Sequence, residues 1–450
     1  MSLKKTILAV LPIFFIILFL LPATTYTETI VAGYYPSWQK STLAAQNLAM
    51  NNLTHVIHSF VIPGSDGLLN YDADFIYPQL NTKVHAAGKK ITFALGGWGG
   101  SDGFPVMAAS AQSRETFINN IITFCLRNNY DGVDIDWEHP ANAADKKNLV
   151  SLVKEMRAAF NTTEQNLIIS MAVTAGSWAG QWIDYDSLTS SIDWFGCMTY
   201  DFHGSWTDHA GHNSPLYSSG GDQCGSVNEG YYYLTGTRGV PKEKILIGIP
   251  FYGRQFNASL LYGPATGGTD LNFCDIFPLI GNGWTRYWDN VAQAPYLLNT
   301  SRTLFITYDD STSVTAKFKY ALDKKIAGVM IWALGGDVIS DQQPLLNAIG
   351  QIATGVESKP RQVDTFGLLQ NYPNPFNASS VICYEIFQTL PVRIDVFDTN
   401  GRLVSNLVDS IQPPQRHNVR FYADNLPSGI YLYKLSTPEY DRTGKMILIK

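Results

Sequence analysis

The sequence has 450 residues, which is enough for two or three domains. Its hydrophobic content is that of an ordinary globular protein, and its net charge of −6 argues against a nucleic-acid partner, which would favour a basic surface. The five cysteines are scattered without CxxC spacing, so they indicate neither a metal site nor a dense disulfide framework. A bridge between Cys224 and Cys274 is conceivable, and the odd number leaves at least one thiol free.

The N-terminus has the pattern of a secretory signal peptide. Lys4 and Lys5 precede an apolar run over residues 7–21, and small residues follow it. The run is shorter than the ~20 residues that a membrane-spanning helix needs, and Pro12 weakens it further. We therefore predict a signal peptide over residues 1–25, export from the cell, and no stable membrane span after cleavage.

Short β-rich runs alternate with helical segments over residues 28–353. The spacing of apolar residues predicts helices over 113–128 and 143–160. The β-rich runs are mostly apolar throughout, as expected for parallel strands covered on both faces. They predict eight strands, over 30–38, 55–61, 90–98, 130–138, 167–173, 192–200, 245–252 and 326–334. This alternation favours an α/β fold, a (β/α)8 TIM barrel, over a doubly wound sheet, because no glycine-rich phosphate motif follows the first strand.

Three further segments do not fit the barrel alternation. Residues 255–311 are too long for one helix between the seventh and eighth strands, so we predict a small α+β insertion there. Residues 354–365 are polar and contain proline, which is typical of a linker. Beyond them, strict alternation over 392–396 and the turn signal Asn400-Gly401 predict a small all-β sandwich domain over 366–450.

The fourth β-rich run carries a row of carboxylates. Side chains alternate between the two faces of a strand, so Asp134, Asp136 and Glu138 share one face and apolar residues take the other. Like charges this close oppose ionisation and raise some of the pKa values. On a buried strand such a row indicates proton transfer or stabilisation of a cation, whereas a solvated acidic edge strand is disfavoured by the apolar flanks. Asp131 has the opposite parity, and we interpret it as structural.

Residues 131–138 resemble the DGxDxDWE signature of family 18 glycoside hydrolases, the chitinases and their relatives. Further resemblances follow in the expected order and cover about residues 29–353. They match the family motifs of the third, sixth and seventh strands and the tryptophan of the eighth, at 94–98, 198–204, 248–254 and Trp332. The insertion resembles the α+β module of chitinases with deep clefts, although it is shorter than many.

The resemblance implies a catalytic role for four residues. Glu138 would protonate the glycosidic oxygen, and the 2-acetamido group of the substrate would act as the nucleophile and yield an oxazolinium ion. Asp136 would hydrogen-bond the acetamido N–H, and Asp134 would share a proton with Asp136. Tyr200 would donate a hydrogen bond to the acetamido oxygen. The predicted reaction is therefore retaining and substrate-assisted.

The resemblance also implies a substrate cleft that is rich in aromatic residues. Trp332 would stack beneath the sugar at the scissile bond, and Met198 and Asp201 would shape the pocket. The other predicted substrate-binding residues are Tyr34, Trp38, Trp98, Trp137, Trp206, Tyr252 and Arg254. We expect no cofactor and no metal, because His139, His203 and His212 do not form a metal-binding set.

Residues 366–450 resemble the type A sorting domain of the type IX secretion system of certain Gram-negative bacteria. The matching segments are 369–377, 400–402, 426–431 and 445–450. The resemblance implies contact with the type IX secretion machinery and a secreted or cell-surface location. A carbohydrate-binding module is the structural alternative, and it is disfavoured because this part of the sequence contains no tryptophan.

The predicted function is that of an exported chitinase acting on β-1,4-linked N-acetylglucosamine in chitin or chitooligosaccharides. The alternatives are an endo-β-N-acetylglucosaminidase acting on glycoprotein glycans and a non-catalytic chitin-binding lectin. The insertion, Trp332 and the motif at 198–201 favour chitin. Lectin relatives lose the acidic glutamate or its aspartate, whereas Glu138, Asp136 and Asp134 are all present.

Overall fold

The computed structural model describes residues 29–353, 366–368, 371, 373–386, 389–413, 415–437 and 441–450. The predicted signal peptide (1–25) and the predicted linker (354–365) lie outside the described residues. Among the residues that are described, no helix combines the length and the apolar character that crossing a membrane requires.

Eight parallel strands close into a barrel, as the sequence predicts. The strands are β1 (Ile30–Pro36), β2 (His55–Pro63), β4 (Lys90–Gly96), β5 (Gly132–Asp136), β6 (Ile168–Thr174), β7 (Trp194–Met198), β8 (Ile245–Pro250) and β14 (Gly328–Trp332). The short β3 (Leu69–Asn70) pairs antiparallel with the end of β2. The first strand pairs with both the second and the last, with Ala32 opposite His55 and Ile30 opposite Gly328. These two pairings complete the ring.

Helices follow most of the barrel strands. The two longest, α3 (Ala111–Asn128) and α4 (Ala143–Phe160), lie where the apolar spacing predicts helices, although α3 begins two residues earlier. Ser110 and Asn142 cap them by accepting hydrogen bonds from backbone N–H groups of the first turn. The other helices of this region are α1 (Pro78–Ala86), α2 (Phe104–Ala109), α5 (Ser177–Gly180), α6 (Tyr185–Leu188), α7 (Val227–Tyr232), α9 (Ser311–Lys324) and α10 (Pro344–Ala353).

The principal core joins the outer face of the strands to the helices. Val133 and Ile135 of β5 are fully buried in it, and so is Trp137, whose ring stacks on Phe104 of α2 at a centroid distance of 5.0 Å. Asp131 is structural, as predicted, because its carboxylate accepts hydrogen bonds from the Lys90 ammonium group and the backbone N–H of Ile91.

The insertion between the seventh and eighth barrel strands is a five-stranded antiparallel sheet. It contains β9 (Tyr252–Asn257), β10 (Thr266–Asn272), β11 (Trp284–Asp289), β12 (Ala294–Asn299) and β13 (Leu304–Thr307), in the order β10-β9-β13-β12-β11, together with the short α8 (Phe273–Ile276). β8 ends at Pro250, and Phe251 alone separates it from the first strand of this sheet. The sheet begins at Tyr252, which is before the predicted boundary at 255.

The C-terminal region is all-β, as predicted. Its strands are β15 (Phe366–Leu368), β16 (Ser379–Ile386), β17 (Leu390–Phe397), β18 (Leu403–Gln412), β19 (Gln415–Tyr422), β20 (Gly429–Ser436) and β21 (Asp441–Leu448). They form two antiparallel sheets, β15-β16-β19 and β18-β17-β20-β21. Ile382 and Phe421 of the first sheet share a buried cluster with Val396 and Tyr433 of the second, so the two sheets pack as a sandwich.

Candidate active site

The carboxylate row lies at the carboxyl end of β5. Asp134 and Asp136 are buried within the strand, and Glu138 follows the strand's last residue by two positions. Asp134 is the deepest, and its two carboxyl oxygens accept hydrogen bonds from Tyr34 Oη at 2.7 Å and Ser170 Oγ at 2.5 Å. Burial raises the pKa of Asp134 to about 6, although both hydrogen bonds oppose that rise.

Asp136 differs from Asp134 in the hydrogen bonding of its carboxyl group. Its Oδ1 atom is buried and has no hydrogen-bond partner among the described residues. Burial raises the pKa of Asp136 well above its ordinary value, and the charges of Glu138 and Asp134 raise it further. Because a buried carboxyl oxygen without a partner is costly, this atom is ready to accept a hydrogen bond from a bound molecule.

The pKa of Glu138 is raised toward neutrality. Its backbone N–H donates to Ser101 Oγ at 2.9 Å, and that hydroxyl in turn donates to the backbone oxygen of Asp136. Burial, followed by the charge of Asp201, raises the pKa of Glu138 to about 7. A carboxyl group with this pKa holds its proton near neutrality and can deliver it. The neighbouring His139 is neutral there, because burial lowers its pKa to about 4.

A second charged group faces the row from the loop after β7. Asp201 Oδ1 accepts hydrogen bonds from Tyr252 Oη at 2.5 Å and from Arg254 Nη2 at 2.7 Å. The Asp201 backbone adopts the left-handed conformation, with φ of 61°, and its N–H donates to Asn213 Oδ1 at 3.1 Å. These contacts fix the carboxylate close enough to Glu138 for its charge to matter.

A cleft of about 730 Å³ opens above the carboxylates. Trp332 packs edge-on against Tyr34, with ring centroids 5.5 Å apart. Trp38 and Trp98 are 60% and 83% exposed, which is unusual for such large apolar rings and suits stacking on sugar faces. Of the predicted site residues, the cleft is lined by Tyr34, Trp38, Trp98, Asp136, Glu138, Met198, Tyr200, Asp201, Tyr252 and Trp332.

Four predicted site residues lie outside the cleft wall. Asp134 lies beneath it, as described. The prediction that Trp137 binds substrate is corrected, because its ring faces the helices and is buried against Phe104. Arg254 and Trp206 also do not line the cleft. The Arg254 guanidinium is buried and pairs with Asp201, and the exposed Trp206 ring lies 4.8 Å from it.

Several residues that line the cleft were not predicted from the sequence. Phe60 packs 5.6 Å from Trp332 and 6.4 Å from Trp38, between centroids. It is the last residue but one of the second predicted strand (55–61), so its position near the carboxyl end of the barrel could have indicated it. Tyr71 and Asp72 come from the loop after β3, and no sequence pattern indicated that they would line the cleft. The remaining missed lining residues are Ser37, Ile62, Asn70, Gly96, Gly99, Gly100 and Ala172.

The structure differs from the sequence-based predictions in the pairing of the cysteines and in the grouping of the histidines. All five cysteines are free, so the conceivable bridge between Cys224 and Cys274 is not formed. His139 lies beside Glu138, and His212 lies beside Asp289. His203, which was grouped with them, instead lies in a cluster with His209, Asp222 and Cys224.

Known proteins resemble both parts of the chain. Chitinase A1 of Niallia circulans is 32% identical over 311 residues, covering 61% of this chain and 44% of that protein. The probable endochitinase of Caenorhabditis elegans is 35% identical over 293 residues, covering 58% of this chain and 46% of that protein. The chain thus matches less than half the length of either relative. Residues 370–450 match the model of the secretion system C-terminal sorting domain.

Solved structures show the same barrel. The Group IV chitinase of Ostrinia furnacalis, in complex with allosamidin, matches with a TM-score of 0.67 and 28% identity over 73% of this chain and 99% of that one. Human YKL-39, described as a pseudo-chitinase with retained chitooligosaccharide binding properties, matches with a TM-score of 0.66 and 25% identity over 73% of this chain and 100% of that one. Residues 30–337 match the model of glycosyl hydrolases family 18, and the chain therefore belongs to that family.

Proposed function

We propose that the protein hydrolyses β-1,4 bonds between N-acetylglucosamine units in chitin or chitooligosaccharides. The observation that carries this proposal is Glu138, a carboxyl group with a pKa of about 7 at the floor of an aromatic cleft. The relatives that are named chitinases indicate the same substrate class. In the first step, the Glu138 carboxyl protonates the glycosidic oxygen and the leaving sugar departs. In the second step, the Glu138 carboxylate takes a proton from the attacking water.

The nucleophile in this proposal is the 2-acetamido oxygen of the substrate. Family 18 is among the glycosidases in which the substrate assists in this way. Both oxygens of Asp134 are occupied by Tyr34 and Ser170, so that carboxylate is badly placed to attack a sugar. Asp136 instead offers its free Oδ1 to the acetamido N–H, which orients the carbonyl oxygen toward the anomeric carbon. The resulting oxazolinium ion retains configuration when water opens it.

The positive charge of that ion is stabilised by the same groups. The Asp136 carboxylate lies next to the nitrogen that carries part of the charge, and electrostatic stabilisation of this kind is strong in a buried site. Tyr200 is half-buried and lines the cleft, and desolvation raises its pKa well above the ordinary value, so it stays protonated and can donate to the acetamido oxygen. Trp332 supplies a flat apolar surface beneath the sugar.

The alternative to hydrolysis is that the protein binds chitooligosaccharides without cleaving them, as one of the similar structures is described to do. YKL-39 combines the same barrel with binding alone, so the fold by itself does not establish hydrolysis. This chain retains Asp134, Asp136 and Glu138 in one buried row, with the pKa of Glu138 raised to a useful value. That feature supports an enzyme.

Replacement of the acid tests the proposal. Glu138→Gln should reduce the turnover of chitooligosaccharides by about 10²-fold or more, since the amide has no proton to deliver, while oligosaccharide binding persists. Product release from labelled oligomers measures turnover, and calorimetry measures binding. Glu164→Gln changes an exposed glutamate in the same way and should behave as the unchanged protein. Full turnover by Glu138→Gln would refute the assignment of the acid.

A second arm of that experiment tests the nucleophile. The unchanged protein should cleave N-acetylglucosamine oligomers and leave the fully deacetylated oligomers intact, because an amine cannot attack through a carbonyl oxygen. Cleavage of both at similar rates would require a carboxylate nucleophile. Cleavage of a high-mannose glycopeptide in preference to chitin oligomers would indicate the endo-β-N-acetylglucosaminidase alternative instead.

The C-terminal sandwich has a separate proposed role, in export. Its match to a secretion system sorting domain supports recognition of residues 366–450 by the type IX secretion machinery of a Gram-negative bacterium. The proposed location is the cell surface or the medium, where insoluble chitin is accessible.

A further inference from the structure

Four potential metal ligands converge in the long connection between β7 and α7, away from the carboxylate row. They are His203, His209, Asp222 and Cys224, and their ligand atoms all lie within 4.8 Å of one another. His203 is fully buried, and the side chain of Asp222 is 4% exposed. Such a set combines two nitrogens, one oxygen and one sulfur, which are the atoms that zinc prefers in proteins.

The separations among the three nitrogen and oxygen atoms are compatible with a tetrahedron around one ion. His203 Nε2 lies 3.2 Å from His209 Nε2 and 3.3 Å from Asp222 Oδ1, and His209 Nε2 lies 3.4 Å from the same oxygen. Zinc bonds of about 2.0–2.1 Å would place ligand atoms about 3.3–3.4 Å apart at tetrahedral angles. Good N–H···O bonds are shorter, typically about 2.7–3.2 Å. Cys224 Sγ lies 3.9 Å from His209 Nε2 and within 4.8 Å of the other ligand atoms, so a small approach of the sulfur would complete the fourth corner.

The second ring nitrogen of each histidine is held by an acceptor. His203 Nδ1 lies 2.9 Å from the backbone oxygen of His212, and His209 Nδ1 lies 2.7 Å from Asp208 Oδ1. A carbonyl or carboxylate oxygen can only accept, so both Nδ1 atoms carry the proton. In the neutral rings the two Nε2 lone pairs then face each other and the Asp222 carboxylate. A proton on one Nε2 or a metal ion relieves this repulsion, and histidines whose outer nitrogen is held by an acceptor are the usual arrangement around a bound metal.

The backbone around the cluster is also fixed. A Cβ atom on Gly211 would overlap the His203 ring, so glycine at that position leaves room for the imidazole. The Ala210 N–H donates to Gly263 O at 2.9 Å, and the Tyr262 N–H donates to Ala210 O at 2.9 Å. The cluster therefore lies where the β7–α7 connection is joined to the β9–β10 connection of the insertion.

We propose that His203, His209, Asp222 and Cys224 form a structural zinc site. The Cys224 thiol releases its proton to solvent on binding, and the thiolate and the Asp222 carboxylate together balance the charge of Zn²⁺. All four positions come from the protein, which is the pattern of a structural rather than a catalytic site. The ion joins two parts of the β7–α7 connection, which also carries Asp201 of the cleft wall.

Metal analysis of the full chain tests this proposal directly. The protein is purified without a histidine tag and without chelator, and elemental analysis should find about one zinc ion per chain. Cys224→Ser should lower the zinc content, whereas Cys274→Ser, a matched change at another free cysteine, should leave it unchanged. Protein without stoichiometric zinc would overturn the proposal if it also fails to bind the added metal in the following experiment.

Cobalt substitution reports the ligands. Chelator-stripped protein titrated with Co²⁺ should develop the strong visible bands of a four-coordinate ion and a thiolate-to-cobalt charge-transfer band. Cys224→Ser should lose the charge-transfer band, and Cys274→Ser should retain it. The pale spectrum of six-coordinate Co²⁺, or a band that survives in Cys224→Ser, would overturn the proposal.

A third variant changes an exposed residue outside the set of four ligands, so that the buried cluster itself is not altered. Asp208 is 98% exposed, and Asp208→Asn keeps the fold but weakens the acceptor for His209 Nδ1. Loss of such an outer partner should reduce zinc affinity by about 10–100-fold, while the exposed control Asp323→Asn should not. Equal zinc affinities for the two variants would show that Asp208 does not orient a metal ligand and would count against the site.

Discussion

At the scale of single residues, the site depends on differences among carboxyl groups of one chemical type. Asp134 is held by two hydroxyl groups, Asp136 has a free buried oxygen, and Glu138 has a pKa of about 7. Burial is the largest cause of the raised pKa in each of the three. Their individual partners then set them apart, which is the basis of the different roles that we propose for Glu138 and Asp136.

The pH dependence of activity follows from Asp201. Its negative charge raises the pKa of Glu138, so Asp201→Asn should lower that pKa. The general acid must be protonated to act, and kcat/KM should therefore fall as pH rises through about 7. In Asp201→Asn this decline should move to lower pH, whatever happens to the maximal rate. A pH profile of kcat/KM on a chitooligosaccharide measures it, with Asp323→Asn as the control. An unmoved decline would contradict the assigned coupling.

At the scale of elements, strands deliver the site residues and a buried ion pair holds the surrounding parts together. Lys317 of α9 donates from Nζ to both Asp309 oxygens, at 2.8 and 2.7 Å, and to Ser214 Oγ at 2.7 Å. Lys317 and Asp309 are both buried. This contact joins α9, the end of β13 and the β7–α7 connection.

Removing one partner of that ion pair should destabilise the barrel. Lys317→Met leaves the Asp309 charge buried without compensation, which should reduce the free energy of unfolding by about 3–5 kcal/mol. All ten tryptophans lie between residues 38 and 332, so tryptophan fluorescence during urea unfolding reports the barrel region alone. Lys319→Met, on the exposed face of the same helix, is the control. A loss no larger than that of the control would mean that the charges do not depend on each other.

The sequence predicted those parts of the fold and site that follow from local periodicity. The alternation of faces in β5 was sufficient to group Asp134, Asp136 and Glu138. The same alternation places Trp137 on the opposite face, and the predicted substrate contact was wrong because it departed from that rule. Arg254 was predicted to line the cleft but lies behind Asp201, a distinction that depends on how the insertion packs. His209 and Cys224 carried no periodic signal, because they lie in an irregular connection whose path is not set by helix or strand periodicity.

At the scale of the whole molecule, the barrel and the sandwich have separate hydrophobic cores. The principal core contains residues from the 29–353 range, whereas the clusters of the sandwich contain residues from 376 onward. Among the described residues, no buried cluster contains side chains from both regions. Separate cores are the basis for expecting each part to fold by itself.

Deletion of residues 366–450 should therefore separate activity from export. The shortened protein should keep its chitooligosaccharide activity and its tryptophan unfolding transition, because the barrel core is intact. It should accumulate in the periplasm, since the segment proposed to be recognised by the secretion machinery is gone. Activity assays on medium, surface and periplasmic fractions measure this, with the full chain as reference. A shortened protein that still reaches the medium would contradict the proposed sorting role.

The pairing that closes the barrel has a consequence for the order of events in time. Ile30 of β1 pairs with Gly328 of β14, so the ring cannot be completed until nearly the whole barrel sequence has been synthesised. Contacts between such distant parts of a chain form late and slow folding. The sandwich strands follow β14, so any factor that reads residues 370–450 meets a chain whose barrel strands have all been made. The order of synthesis therefore makes the sorting segment available only after all the barrel strands have been made.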